Sequence, residues 1–595
     1  MKMKRFAKFL YIYTGTKQSL FLLFAMAVST SILESFGIGL IGPFINLSSN
    51  PEQAFEVPFF RWIYTQLNLQ SSEQLILLVG LSIILIFITK SIAYVLTNAY
   101  LFKVSFTQKK KLVSRMMGAY LRTPYTFFLE RNSASVTQNI ILETSTFTIE
   151  YLLPLLTASV NTVIIFFILA LLAKTSLLLL GIILGILLSV GLIFESFGKR
   201  IRKWGRIRTE ADQEMIKIVN HGMGGLKETR VIGCESYFED QLDYYGKKWQ
   251  KAVTLFRTAR TIFPTLIQNG LVIGVIGFIC ILSLTATPES QDFNTVLAVF
   301  VTASLRLIPA ANQFIVSLSS IRNSSHSVDV LYADLQALEK NNSLVNIRYP
   351  ARSNESAHQT YSFTKQICIQ GICYRYPNVS EDVIKGISLT IKRGESIALI
   401  GKSGAGKTTL VDILLGLLHP YQGDITVDNV SIYNNLRAWQ NLVGYIPQSI
   451  FLTDDTVERN IAFGVPDQLI DVQRLEQAIA VSQLSDLIQQ LPQGVKTRVG
   501  ERGVKLSGGQ RQRIGIARAI YHEREVLVLD EATAALDNET ERLVSDAIQS
   551  LAGSKTLIII AHRLSTVEDC DRIYMLDRGR IAKSGSYREV VLGNV

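Results

Sequence analysis

Gly401-Lys402-Ser403-Gly404-Ala405-Gly406-Lys407-Thr408 follows the apolar run Ile397-Ala398-Leu399-Ile400 and opens a helical pattern, so it reads as strand, glycine-rich turn and helix. Its spacing is G-x-x-x-x-G-K-[ST]: the backbone N–H groups of such a turn can surround phosphate oxygens, while Lys407 reaches the β- and γ-phosphates and Thr408 reaches Mg²⁺. Gly401, Ser403, Gly404, Gly406, Lys407, Thr408 and Thr409 are thus candidate nucleotide-binding residues, with the positive end of the helix dipole aimed at the ligand. Downstream, Leu506-Ser507-Gly508-Gly509-Gln510 precedes a second helical pattern, and Val526-Leu527-Val528-Leu529-Asp530-Glu531 is an apolar strand ending in two acids. At a sheet edge the Asp530 carboxylate emerges beside the metal, and Glu531 stands where a base or orienter of the attacking water is needed.

With these motifs in this order, the chain resembles the ATP-binding cassette family across essentially its whole length. The resemblance implies ATP and Mg²⁺ as cofactors, and it assigns further residues. Tyr376, in Cys373-Tyr374-Arg375-Tyr376-Pro377, matches the aromatic that stacks on adenine; Gln448, in Tyr445-Ile446-Pro447-Gln448, matches a glutamine that touches Mg²⁺ and faces the membrane domain. Asp537 matches the family's dimer-contact aspartate, and His562, after the apolar strand Leu557–Ile560, its γ-phosphate sensor. Ser507, Gly508, Gly509 and Gln510 match the loop that completes the nucleotide site of the other subunit, so a dimer is implied, with itself or with a close paralogue.

The other half of the chain is of a different kind. Mean hydropathy of +0.26 over 595 residues is too apolar for a wholly soluble protein of this length. Apolar stretches at Ser19–Leu47, Gln74–Leu101, Ile141–Leu172, Ser176–Phe194, Thr261–Leu284 and Val296–Ile321 reach or approach the roughly 20 residues that a bilayer core requires. The expected fold is a membrane all-α domain of six helices over residues 1–335, a polar linker over 336–366, and a cytoplasmic α/β P-loop nucleotide-binding domain over 367–595 with a largely parallel core. Strands Ile367–Tyr374, Val526–Leu529 and Thr556–Ile560 are expected to alternate with helices there.

Basic residues set the orientation. Lys2, Lys4, Arg5, Lys8 and Lys17 precede the first span without an acid among them, and Lys103, Lys109, Lys110, Lys111, Arg115, Arg122 and Arg131 follow the second. By the positive-inside rule these segments are cytoplasmic, as are both termini, in a multi-pass protein of a cell membrane such as the bacterial inner membrane. The net charge of +11 is accounted for by this topology, and no aromatic-basic motif points to nucleic acid. Cys234, Cys280, Cys368, Cys373 and Cys570 fall in cytoplasmic or membrane segments, where neither a disulfide nor a zinc site is expected. Nor does the N-terminus read as a cleavable signal, since its apolar run is long and contains Glu34.

Arg122–Phe128 and Gly224–Arg230 interrupt long helices after the second and fourth spans and match the coupling helices of exporter-type cassettes. Three strings resemble bacterial flippases of lipid-linked oligosaccharides and related polysaccharide and glycolipid exporters: Leu33–Ile45, Leu305–Asn312, and the outer segment Phe59–Leu67, whose Phe59, Trp62, Ile63 and Leu67 share a helical face fit to lie on the membrane. Where that pattern carries an arginine after the fifth-span proline, this chain has Thr265. Lys90 and Arg306 sit within apolar sequence, each costing about 2.5–3.5 kcal/mol on insertion scales unless it finds a partner. A pyrophosphate-linked lipid is one partner; the alternative is that Arg306 pairs with Glu34 to lock the bundle, or that Lys90 snorkels to an interface. The expectation is an ATP-hydrolysing flippase of a lipid-linked oligosaccharide or other glycan-bearing amphiphile. A broad lipid, drug or peptide exporter, an importer's ATPase subunit and a non-transporting cassette ATPase stay open as alternatives.

Overall fold

The computed structural model describes residues 2–49, 64–66, 71–129, 131, 133–175, 177–285, 292–344, 361–377, 379–530, 538–561 and 567–593. Two compact units result: Met1–Leu121 with Arg131–Lys340, and Arg122–Glu130 with Asn341–Val595.

The first unit is helical. It contains α1 (Lys2–Ile12), α2 (Lys17–Ser49), α3 (Ser72–Arg122), α4 (Leu153–Thr175), α5 (Leu177–Gly224), α6 (Leu226–Ile232), α7 (Glu235–Thr285), α8 (Asp292–Asn323) and α9 (Ser325–Leu344). Five of its helical stretches, among the described residues, are long and apolar enough to cross a membrane, and the run Thr261–Leu284 forms the C-terminal part of α7. Ile38, Ile168, Ile183, Phe194, Phe263, Ile267, Leu307 and Ala311 interlock in one buried cluster. Phe21, Leu85, Leu188 and Ile273 instead lie 64–74% exposed, an arrangement that lipid stabilises and water does not. Gly274 admits α5 closely, since a Cβ there would lie 2.9 Å from the Ile186 side chain. The helix leading into α4 takes π-helical turns at Asn139–Glu143 and Phe147–Leu152, which sequence periodicity does not reveal. At the unit's polar end, Asp334 of α9, almost fully buried, is held by Tyr120, Arg131 and Asn139, while Lys8 pairs with Asp329 and Arg115 with Glu339.

The second unit carries two sheets. β1 (Gln366–Tyr374), β2 (Ile384–Lys392), β4 (Gln422–Val427) and β5 (Val430–Ser431) form an antiparallel sheet in the order β2-β1-β4-β5. The expectation that Ile367–Tyr374 alternates with helices around a parallel core is corrected here: β1 pairs antiparallel with β2 and β4, and among the described residues no helix separates β1 from β2. The larger sheet runs β10 (Arg580–Gly585), β9 (Arg572–Asp577), β3 (Ser396–Ile400), β8 (Thr556–Ile560), β7 (Val526–Asp530), β6 (Val443–Ile446); all but β10 are parallel. Its central strands are buried on both faces, and their continuous apolar runs reflect that. Ala398, Ile400, Leu527, Leu529, Leu557 and Ile559 enter one core, and the alternate residues Ile397, Leu399, Val526, Val528, Ile558 and Ile560 enter a second, shared with the antiparallel sheet.

Candidate nucleotide site and an ion cluster in the helical unit

The carboxyl ends of the parallel strands gather the site, as the topology of such sheets requires. β3 delivers the glycine-rich loop into α10 (Lys407–Leu414). Gly401 holds φ at +149°, and a Cβ there would meet the Leu576 carbonyl oxygen at 2.3 Å, so only glycine permits the loop to approach β9 this closely. Gly404 and Gly406 also carry positive φ, and Ser403 and Thr408 lie exposed on the loop. Lys407 is buried, its ammonium donating to the carbonyls of Gly401 (2.8 Å) and Lys402 (3.2 Å), which stretches the side chain along the loop. The fully buried Trp439 donates its indole N–H to the Leu414 carbonyl at 2.7 Å and satisfies the far end of α10. Loop, cradle and lysine fit a nucleotide's phosphates.

Tyr376, beyond β1, comes within 3.1 Å of the Thr409 hydroxyl through its own hydroxyl, which places an aromatic ring beside the loop. Asp530 ends β7, and Gln448 leaves the adjacent β6 two residues past Ile446, which pairs with Leu529. The two therefore emerge on neighbouring strands. Sequence reading missed two residues at this edge. Tyr445 of β6 donates its hydroxyl to Asp530 Oδ2 at 3.3 Å; partial desolvation, then the Asp530 charge, pushes this phenol up. Asp412 of α10 has its carboxyl raised to about 6 by burial and then by Asp530. Tyr445 stands in the Gln448 string without a role of its own and Asp412 in no motif, and only the register of β6 on β7 and the direction of α10 bring them in.

Ser507 is the N-cap of α15 (Gly508–Tyr521), counting α11 (Leu436–Leu442), α12 (Val457–Ile461), α13 (Val472–Val481) and α14 (Ser485–Gln490) before it. A capping box closes the turn: Ser507 Oγ accepts from the Gln510 N–H at 3.3 Å, and the Ser507 N–H donates to Gln510 Oε1 at 2.9 Å. Arg511 braces the approach by donating to the carbonyls of Gly503 and Leu506. Ser507 and Gly508 are exposed, Gly509 is buried, and the Gln510 amide is engaged within its own chain. Glu531, Asp537 and His562 lie outside the described residues.

In the helical unit three of the candidates meet. Lys90 Nζ lies 2.7 Å from Glu34 Oε1, and Arg306 Nε contacts the same oxygen. Glu34 is 2% exposed, and Arg306 also lies over the Tyr94 ring at 5.3 Å. Lys90 thus does not reach for an interface: it shares with Arg306 a single carboxylate, and the cluster holds two cations to one anion.

A parallel-sheet P-loop unit joined to apolar helices of bilayer length defines a membrane-embedded nucleotide-driven machine. The family model described as ABC transporter matches residues 384–534, and that described as ABC transporter transmembrane region matches residues 19–305. Among curated relatives, the ATP-dependent lipid A-core flippase of Alkalilimnicola ehrlichii is 30% identical over 79% of this chain and 78% of its own length. Proteins of the same description from Bordetella avium (31%, covering 72% and 71%) and Cupriavidus metallidurans (29%, covering 87% and 84%) are similar. Among solved structures, a bacterial Atm1-family ABC exporter with ATP bound superposes with a TM-score of 0.69 over 95% of this chain and 96% of that one; at 21% identity the likeness is one of fold. The chain belongs to the ABC transporter family and is an exporter-type half-transporter, a multi-pass membrane protein that hydrolyses ATP to drive transport.

Proposed function

We propose that this chain, as a homodimer in the bacterial inner membrane with cassettes and termini in the cytoplasm, flips a phosphate-bearing glycolipid from the inner to the outer leaflet. A lipid-linked oligosaccharide is the form that the sequence strings favour, and the relatives described as lipid A-core flippases support a lipid-borne cargo. The observation that carries the reading is the Glu34–Lys90–Arg306 cluster, whose cations outnumber its anion within helices of membrane length. An uncompensated cation there costs about 2.5–3.5 kcal/mol on insertion scales, and an anionic head group removes that cost.

In this reading residues 1–335 hold the cargo, 336–366 link, and 367–595 bind ATP. Gly401, Ser403, Gly404, Gly406, Lys407 and Thr409 hold the phosphates, Tyr376 the adenine, and Thr408, Gln448 and Asp530 the Mg²⁺ ion, which neutralises charge on the transferring phosphoryl group. Glu531 accepts the proton of the attacking water, His562 contacts the γ-phosphate, and Ser507, Gly508, Gly509, Gln510 and Asp537 serve the facing subunit's site. Arg122–Phe128, which matches a coupling helix of the family, passes closure to the helices. Gly224–Arg230 is assigned the same task.

Proteoliposomes loaded with a pyrophosphate-linked glycolipid test the reading. Wild type and Arg306→Lys should flip it with ATP, Arg306→Gln should flip it at least about tenfold more slowly, and the dephosphorylated lipid should move poorly in all three. Equal transport of both lipids by all proteins would give the broad exporter the better claim. If Arg306→Ala unfolds the chain and the pair Glu34→Gln, Arg306→Gln restores it, the cluster is structural.

A further inference from the structure

α5, α7, α8 and the turns leading into α4 enclose a half-open cavity of about 560 Å³, and none of Glu34, Lys90 and Arg306 lines it. It lies beyond the basic ends of the fourth and fifth apolar stretches, on the side assigned to the cytoplasm. Arg208, Arg257 and Arg260 line it together with Glu150 and Asp212. Arg208 is committed, its Nη1 lying 2.9 and 3.2 Å from the two Glu150 oxygens. Asp212 is hydrogen-bonded by Trp249, and burial raises its carboxyl from the ordinary aspartate value against the opposing pull of Arg208.

Arg257 and Arg260 differ from these. Among the described residues no carboxylate lies within ion-pair distance of either; Arg257 is exposed, and Arg260, partly buried, is destabilised as a cation first by burial and then by Arg257, with Glu150 offsetting part of this. Two guanidiniums kept near each other against their repulsion form a fork suited to a multiply charged oxyanion, because each can offer paired N–H donors to phosphoryl oxygens. Trp249, Phe256 and Val253 supply an apolar wall beside them, on which the start of an acyl or polyprenyl chain can rest.

We infer that this cavity is a cytoplasmic docking site for the phosphoryl group of the lipid cargo, occupied before the head group reaches the Glu34 cluster, with Arg257 and Arg260 as its ligands. The inference rests on the glycolipid reading above. An amphiphile drawn from the inner leaflet meets this end of the bundle first, and a lone phosphate would leave the apolar wall bare.

The test is equilibrium binding to the detergent-solubilised full-length protein without nucleotide. The probes are lipid A carrying both phosphates, the same lipid with both removed, and inorganic pyrophosphate. Wild type should prefer the phosphorylated lipid, and Arg257→Gln, Arg260→Gln should weaken that binding about tenfold or more, since charge-assisted hydrogen bonds are lost. The paired lysine variant, which keeps both charges, should recover most of it, and it covers the case in which the glutamine variant fails to fold. A folded glutamine variant that binds as wild type, or equal binding of the dephosphorylated lipid, overturns the site. Pyrophosphate competing as well as the lipid assigns the cavity to a soluble phosphate and overturns the lipid reading. Binding through these arginines without flipping would sustain the dock while the transport reading falls; flipping with unchanged affinity in the glutamine variant would do the reverse.

Discussion

Asp412 and Asp530 place two carboxylates at one strand-and-helix edge, and the cost falls on Asp412. Its carboxyl rises from 3.8 to about 6 on folding, so between those values the folded chain keeps a proton that the unfolded chain has lost. The stability associated with that proton is complete below the unfolded value and is lost as pH rises through about 6. Asp412→Asn should therefore raise the thermal midpoint relative to wild type near neutral pH in metal-free buffer, and match it in acid. A variant less stable than wild type near neutral pH would show that the Asp412 charge is paired. Glu531→Gln tests the proposed base: it should reduce ATP turnover by at least about a hundredfold while ATP still binds through Lys407. Turnover within about threefold of wild type would move the role to Gln448 or His562. Lys407, Thr408 and Asp530 were legible because their spacing from a glycine-rich turn or a strand end is the chemistry itself. Tyr445 was not, since its hydroxyl reaches Asp530 only through the pairing of β6 with β7.

Elements follow from the sequence where one physical preference dominates. In their described residues the apolar stretches each fall within a long helix, because a run of bilayer length with internal hydrogen bonds has few other solutions. Pro43, Pro264 and Pro309 lie inside α2, α7 and α8 without ending them. What periodicity could not give was the partner of a strand: β1 has the same apolar alternation whether its neighbours run parallel or antiparallel. Nor could it show that Gln510 belongs first to its own helix. As the acceptor for the Ser507 N–H, Gln510 fixes the turn whose exposed end Ser507 and Gly508 form. Gln510→Ala should thus cost about 1 kcal/mol of cassette stability, whereas Gln510→Glu, which keeps the box, should cost little. Calorimetry of the two variants checks this. Equal stability with equal loss of ATPase would mean that the glutamine acts on nucleotide and not on the helix.

On the scale of the molecule, this chain has one phosphate loop and one Ser507 turn, both within the second unit, and Ser403 and Ser507 are exposed. Ser403 stands at the outer face of the loop, and Ser507 at the first turn of α15, where free N–H groups and the helix dipole attract phosphate. If two copies face each other head to tail, each loop meets the other's turn across a nucleotide, and neither site is complete in a monomer. Such a contact is isologous and closes as a dimer without leaving a surface free for further copies. Each face offers a helix N-terminus to phosphate, so association of the cassettes should depend on ATP. Cysteines placed at Ser403 and Ser507, in a chain whose five native cysteines are replaced, should join between subunits when ATP and Mg²⁺ are added. Adding Lys407→Ala should abolish the crosslink, because the loop then holds its phosphates too weakly to draw the partner in. A crosslink confined to one chain, or one equally strong without nucleotide, would overturn the head-to-tail arrangement and leave the Ser507 turn without a phosphate to serve.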